Sequence, residues 1–207
     1  MRITLIGMSN VGKSYWSEKL EKSGFKRFCC DDMIEKKLEP ILKKEGYSGI
    51  HDMSKWMGQP YEEQYDDNAR KYIFHETEVL KEILDYIKKN KGNNIVVDTT
   101  GSVIHTNNII LHQIKMLTDV IYLKTSSSEV EKMLKSYIEH PKPVFWSNQF
   151  QKGENESDMK ALKRCYPKLI SFRRLLYNRF ADKTIYGEKL RYKNINENDF
   201  IKKINEA

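Results

Sequence analysis

Cysteine is scarce in this chain, as are most devices by which small proteins staple themselves or attach to something larger. Only Cys29, Cys30 and Cys165 occur in 207 residues. The number is odd, two are adjacent, and no CxxC or Cys/His spacing frames them, so neither a disulfide scaffold nor a structural zinc site is expected. Long hydrophobic runs are missing too. The apolar stretch at residues 3–6 is far too short for the core of a signal peptide, and no later run approaches a membrane span. The reading is a soluble, non-exported protein of the reducing cytoplasm. Dense basic tracts are also lacking: the net charge of +7 comes from Lys scattered among Glu, Asn and Ile. Such a surface suits an anionic ligand better than a nucleic-acid groove, so nucleic acid is not an expected partner. Internal repeats and low-complexity linkers are absent, and His105 and His112 have no metal-ligand partners in sequence.

What is present suffices for a single domain over 1–207, long enough to bury about 70% of the surface of its unfolded chain. Monomer is the default state. Apolar runs bounded by turn signals fall at residues 3–7, 25–30, 94–99, 120–124 and 183–186. Stretches with helical spacing at 14–23, 61–89, 103–117, 126–137 and 161–180 separate them. Strands alternating with helices predict an α/β fold whose parallel sheet is covered on both faces. The region 33–90 is longer than a plain crossover requires. The segment 138–162 is rich in Pro, Gly and Asn around HPKPVFWSNQFQKGENESD; it reads as a mobile lid, with a composition that argues against a buried element.

One stretch carries explicit chemistry. GMSNVGKS, residues 7–14, matches G-x-x-x-x-G-K-[ST], in which glycines allow tight turns and successive N–H groups point at phosphate oxygens. The Lys reaches the terminal phosphates, and the hydroxyl binds magnesium. Gly7, Asn10, Val11, Gly12, Lys13, Ser14 and Tyr15 are therefore the expected nucleotide contacts, placed between the first strand and the first helix, whose N-terminus favours anions. ATP and Mg2+ are the expected cofactors. A carboxylate at the end of a neighbouring strand is the next requirement of such sites, and Asp98, closing NIVVD, fits it.

Beyond the loop, FKRFCCDDMIEKKL, the stretch DTTGS at 98–102, VIYLKTSSSEVEKML, Lys142-Pro143 and FRRLLYNRFADKTI together resemble the successive landmarks of shikimate kinases. The resemblance implies a three-layer P-loop kinase fold, with a five-stranded parallel sheet in the order 2-3-1-4-5. It also implies a helical acceptor-binding region at 33–90, a lid, and ATP-dependent phosphoryl transfer to a small hydroxylated, anionic acceptor, shikimate as the leading specific choice. Asp31 matches the family's substrate-binding acid, while Cys29 stands where its magnesium-linked acid belongs; Asp98 or Asp32 would then supply that charge. Ile73 stands where a substrate-binding Arg is expected, with Arg70 one helical turn away as a substitute. Gly101 keeps the middle of a glycine triplet, Lys142 keeps a cation in the lid, and Arg173 keeps an Arg beside an apolar stripe. Implied roles are thus catalytic for Lys13, Asp31 and Lys142, with Arg164 closing over the phosphates beside them. Substrate binding falls to Asp31, Arg70, Gly101 and Arg173, and metal binding to Ser14, Asp98 and Asp32. Trp56, Tyr61, Tyr65 and Lys71 are candidates to line the acceptor side, and Trp146 either stacks on a base or anchors the lid.

Two other readings compete. DTTG also resembles the strand-end Asp-x-Thr of polynucleotide-kinase-like and zeta-toxin-like kinases. It satisfies the Asp-x-x-Gly of GTPase switches as well, although the guanine-reading Asn-Lys-x-Asp is absent: residues 90–93 read NKGN.

Overall fold

The structure is a computed structural model describing residues 1–191 and 195–207. Five strands, β1 (Arg2–Ile6), β2 (Lys26–Cys29), β3 (Ile95–Asp98), β4 (Asp119–Lys124) and β5 (Lys183–Tyr186), form one sheet in the order β2-β3-β1-β4-β5. Every pairing is parallel. The predicted sheet and its order are thus present. β1 and β3 are short continuous apolar runs because a parallel strand inside a helix-covered sheet meets side chains on both faces. Ile3, Leu5, Ile95 and Val96 are fully buried.

Nine α-helices flank the sheet among the described residues: α1 (Lys13–Lys22), α2 (Cys30–Lys44), α3 (Gly49–Met57), α4 (Tyr65–Lys89), α5 (Asn108–Leu117), α6 (Val130–Glu139), α7 (Asp158–Phe180), α8 (Gly187–Arg191) and α9 (Glu197–Glu206). α1 packs against β1, β2 and β3 and is backed by α9, while α5 and α7 pack against β4. The expected single helix over 103–117 is split into a short 3-10 turn, Val103–His105, followed by α5. The break falls at Asn107, whose side chain accepts from the Ile109 N–H and so starts a new helix.

The region 33–90 is helical nearly throughout, since α2 and α3 precede the expected long helix and pack with it. α2 begins directly after β2, with Asp31 and Asp32 in its first turn, where the helix dipole favours acids. Ile34, Leu38 and Leu42 recur every fourth residue on its buried side.

The segment 138–162 departs from expectation. Trp146 is fully buried and Val144 nearly so. The Tyr65 hydroxyl donates to Val144 O at 2.9 Å and accepts from Trp146 N–H at 2.6 Å. Composition hides this because the polar and Gly-rich part of the segment brackets a short apolar one, VFW, that inserts into the core beside Tyr137, Phe150 and Tyr166. Trp146 is therefore an anchor, and stacking on a base is closed to it.

Candidate active site

The loop after β1 takes up conformations that L side chains avoid. Gly7 and Gly12 have φ of 141° and 104°, and Asn10, one of two non-glycine residues at positive φ among those described, has 64°. At Gly7 the constraint is also spatial, because a Cβ there would lie 2.6 Å from the Leu123 carbonyl oxygen of β4. The loop is thereby seated against the sheet, with Val11 buried. Its curl brings the Gly7 and Met8 carbonyls to Lys13, whose ammonium donates to each at 3.0 Å. Lys13 is only 7% exposed. Burial lowers its proton affinity, while the carboxylates of Asp98 and Asp31 oppose that shift. Ser14 and Tyr15 follow on the exposed side of α1.

A cleft opens beside this loop, lined by Ser9, Lys13, Asp31, Tyr72, Gly101 and Lys142 among others. The first residues after three parallel strands meet there: the loop after β1, the start of α2 after β2, and the turn after β3. This is where an open α/β sheet binds its ligands. Lys142 arrives from the segment 138–162, and its ammonium donates to the Asn10 side-chain oxygen at 3.1 Å. The Tyr72 hydroxyl, from α4, donates to Asp31 Oδ1 at 3.4 Å. Burial pushes the Asp31 carboxyl above the usual carboxylate range, and Lys13 pulls it back. A carboxylate poised in this way beside a phosphate loop can take a proton from a hydroxyl.

Asp98 ends β3 and is 3% exposed. Its Oδ2 accepts from the Ser17 hydroxyl at 3.2 Å and lies 3.6 Å from Arg27 Nη2, while Oδ1 is buried with no hydrogen-bond partner. Cys29 is its direct register partner on β2, and burial raises the Cys29 thiol to about 12. A thiol so raised is protonated and a poor metal ligand. Asp32 lies elsewhere, exposed on α2 beside a separate groove with Glu35, Glu39 and Tyr47.

Arg173, on α7, is 2% exposed behind Gly101; a Cβ on Gly101 would lie 3.2 Å from its Nη1. Its Nη2 donates to Phe145 O at 2.6 Å, Nη1 reaches the Met8 sulfur at 3.8 Å, the guanidinium also lies in reach of the Tyr177 hydroxyl, and Nε has no partner. No carboxylate pairs with it among the described residues.

Other expected contacts are not brought to the cleft. Arg70 pairs with Asp67 on the outer face of α4, its side chain 70% exposed. Arg164 pairs with Glu156 at 2.6 Å. Tyr61 is exposed, Trp56 is buried beneath the Lys71 ammonium, and Tyr65 is committed to holding the segment at 144–146. His105 lies in the 3-10 turn before α5. Its ring lies against Phe145 and Phe172, and burial, with the Arg173 charge, pushes it down to about 3.

Sequence reading missed Tyr72 and Thr100 in the cleft, Arg27 and Ser17 around Asp98, and the environment of Glu76. A signal existed for one of these: Tyr72 and Glu76 are four residues apart, hence on one face of α4. Glu76 is fully buried and accepts from the hydroxyls of Thr100 and, at 2.7 Å, Ser102. Burial outweighs these bonds and raises its carboxyl from 4.5 to about 7. A carboxyl raised on folding favours the folded chain below its unfolded value and loses that advantage as pH rises through its folded one. The Glu76 contribution should therefore fall by about 3 kcal/mol between pH 4.5 and pH 8. Urea unfolding of Glu76→Gln against the unaltered protein is expected to show the difference shrinking toward acid; a pH-independent difference would contradict it.

No protein-family model matches the chain, and no curated protein matches it in sequence. Solved structures do. The shikimate kinase from Acinetobacter baumannii, solved in complex with shikimate, is similar with a TM-score of 0.60 at 23% identity, covering 99% of this chain and 90% of its own. That from Bacteroides thetaiotaomicron gives 0.58 at 12% identity, covering 100% and 96%. That from Aquifex aeolicus gives 0.52 at 21%, covering 99% and 93%. From end to end, the chain has the fold of the shikimate kinases it resembles.

Proposed function

We propose that the protein is an ATP-dependent kinase transferring the γ-phosphoryl group to a hydroxyl of a small anionic molecule. One observation carries this: Lys13, Lys142 and the half-buried carboxyl of Asp31 line a single cleft against the phosphate loop. Phosphoryl transfer asks for little covalent chemistry from a protein, so positioning and charge are what the site must supply. Lys13 and the loop amides would hold the β- and γ-phosphate oxygens, and Lys142 would cover them from the lid side. Asp31 would orient the acceptor hydroxyl and take its proton as the new oxygen–phosphorus bond forms and the bond to the ADP oxygen breaks.

Magnesium, when bound, would draw charge from the phosphate oxygens. The residues fit it: Ser14 ends the loop, and Asp98 keeps a buried oxygen without a partner. Asp98 is favoured over Asp32 because only Asp98 is buried among the residues that surround Lys13. For the acceptor, the guanidinium of Arg173, which lies directly behind Gly101 of the cleft wall and is not itself a lining residue, supports an anionic group reaching past that glycine. A buried cation with an unpartnered Nε and no salt bridge among the described residues, only the Glu76 carboxyl in its field, is costly until an anion meets it. With Ile73 in place of one arginine and Arg70 turned outward, that group would meet one guanidinium, so an acceptor other than shikimate is compatible with the cleft.

The test is ADP release by the purified protein with magnesium and ATP, with and without shikimate. Shikimate-dependent release assigns the acceptor. Binding of ATP without shikimate turnover moves the acceptor to another hydroxylated anion, and failure to bind ATP overturns the proposal.

A further inference from the structure

We infer that Arg27 and Ser17 are positioning residues that aim the Asp98 carboxylate at the metal. The inference rests on the kinase reading above. Asp98 is buried at the end of β3, so its orientation is set by whatever holds its two oxygens. One faces two protein groups, the Ser17 hydroxyl at 3.2 Å, whose proton is shared with the Ser14 carbonyl, and the Arg27 Nη2, an ion pair at 3.6 Å. These two holders are themselves joined, because Arg27 Nε donates to Ser17 Oγ at 2.9 Å. That bond occupies a lone pair of the hydroxyl and leaves its proton to point away from Arg27, toward Asp98 or the Ser14 carbonyl at 3.0 Å. The chain of contacts therefore runs from β2 through α1, one turn after the phosphate loop's Ser14, to β3.

The consequence is an asymmetric carboxylate. Oδ2 faces the Ser17 hydroxyl and the Arg27 guanidinium, whereas Oδ1 is buried with no partner, in the field of the Lys13 ammonium, for which Asp98 is the foremost carboxylate neighbour. A buried, unpartnered carboxylate oxygen costs free energy unless a cation or a cation-bound water meets it. Arg27 also answers a charge problem. Asp31 and Asp98 repel one another, and a guanidinium only 16% exposed beside Asp98 offsets part of that repulsion. Across the strand pair, Cys29 offers no second carboxylate that could take over the duty. Glu18 lies 3.7 Å from the same guanidinium but is largely exposed, so it contributes little.

Groups that orient a metal's carboxylate typically account for 10- to 100-fold in metal affinity. The experiment titrates Mn2+ into the protein saturated with ADP, with bound metal read by electron paramagnetic resonance. Metal-free ADP binding is measured in parallel by calorimetry. Arg27→Met is expected to weaken Mn2+ binding on the order of tenfold or more, with metal-free ADP binding unchanged and partial recovery in Arg27→Lys. Ser17→Ala, which removes a single oxygen and leaves α1 intact, is expected to weaken Mn2+ in the same direction, and serves if Arg27→Met does not fold. Mn2+ affinity unchanged in both variants overturns the assignment and leaves Arg27 a structural ion pair. If the unaltered protein binds ADP but no Mn2+, the kinase reading itself falls and takes this inference with it.

Discussion

Replacing Lys13 by alanine is expected to lower phosphoryl transfer by at least about 10³-fold while the chain stays folded. The ammonium is 7% exposed and donates to two loop carbonyls, Gly7 O and Met8 O, at 3.0 Å. It therefore fixes the curvature of the loop as well as supplying charge. Losing it leaves those carbonyls short of a donor, at a cost of about 1–3 kcal/mol, but also removes a buried cation whose desolvation opposes folding. These terms act in opposite directions, so the melting curve by circular dichroism should move little. ADP release measured on the same preparation should drop to the background of uncatalysed hydrolysis. Turnover at the level of the unaltered protein would sink the phosphate-loop mechanism. Lys13→Met, which keeps the stem and loses the charge, is expected to behave alike and guards against a packing effect.

Asp31→Asn should separate chemistry from binding. The amide keeps an oxygen for the Tyr72 hydroxyl, which lies 3.4 Å from Oδ1, so the start of α2 keeps its geometry. It cannot accept a proton, and loss of a general base typically costs 10²- to 10⁴-fold in turnover. ATP affinity, measured by calorimetry, is expected to change by less than about threefold, because Asp31 faces the cleft from α2 and not from the loop. The pH profile carries the sign. A base must be ionised to act, and burial holds the Asp31 carboxyl above the usual range against the pull of Lys13. Turnover should therefore decline on acidification at a pH higher than an exposed Asp would give, and the Asn variant should lack that limb. A selective loss of ATP affinity with turnover preserved would instead make Asp31 a nucleotide or metal residue.

The two variants differ in what they report about the reading of the chain. Lys13 was legible because a phosphate loop is local: eight consecutive positions, 7–14, set the turn, the amides and the cation, and no distant contact is needed to recognise it. The sheet was legible for a related reason. Parallel strands are covered on both faces, so each of the central ones leaves a continuous apolar run between helical periods. Asp31 rested on resemblance, and no spacing in the sequence could have placed Tyr72 against it from 41 residues away.

Elsewhere the sequence pointed in the wrong direction. Arg70 and Arg164 are cations of the expected kind near the expected positions, yet both are spent on carboxylates at the surface. Which way a helical side chain faces depends on the rotation of the whole helix against its neighbours. Segment 138–162 reads as polar and loose, yet Val144 and Trp146 are buried through Tyr65, a residue some 80 positions earlier. Sequence alone therefore determined the phosphate loop, the alternation of strands and helices and the acid at the end of β3, since each is written in a few neighbouring residues. Tertiary structure decided which carboxylate stands buried near Lys13, which arginine lies buried behind Gly101 and what holds Asp98. Each of these turns on the packing of separate elements, where burial, more than residue type, sets whether a charge needs a partner.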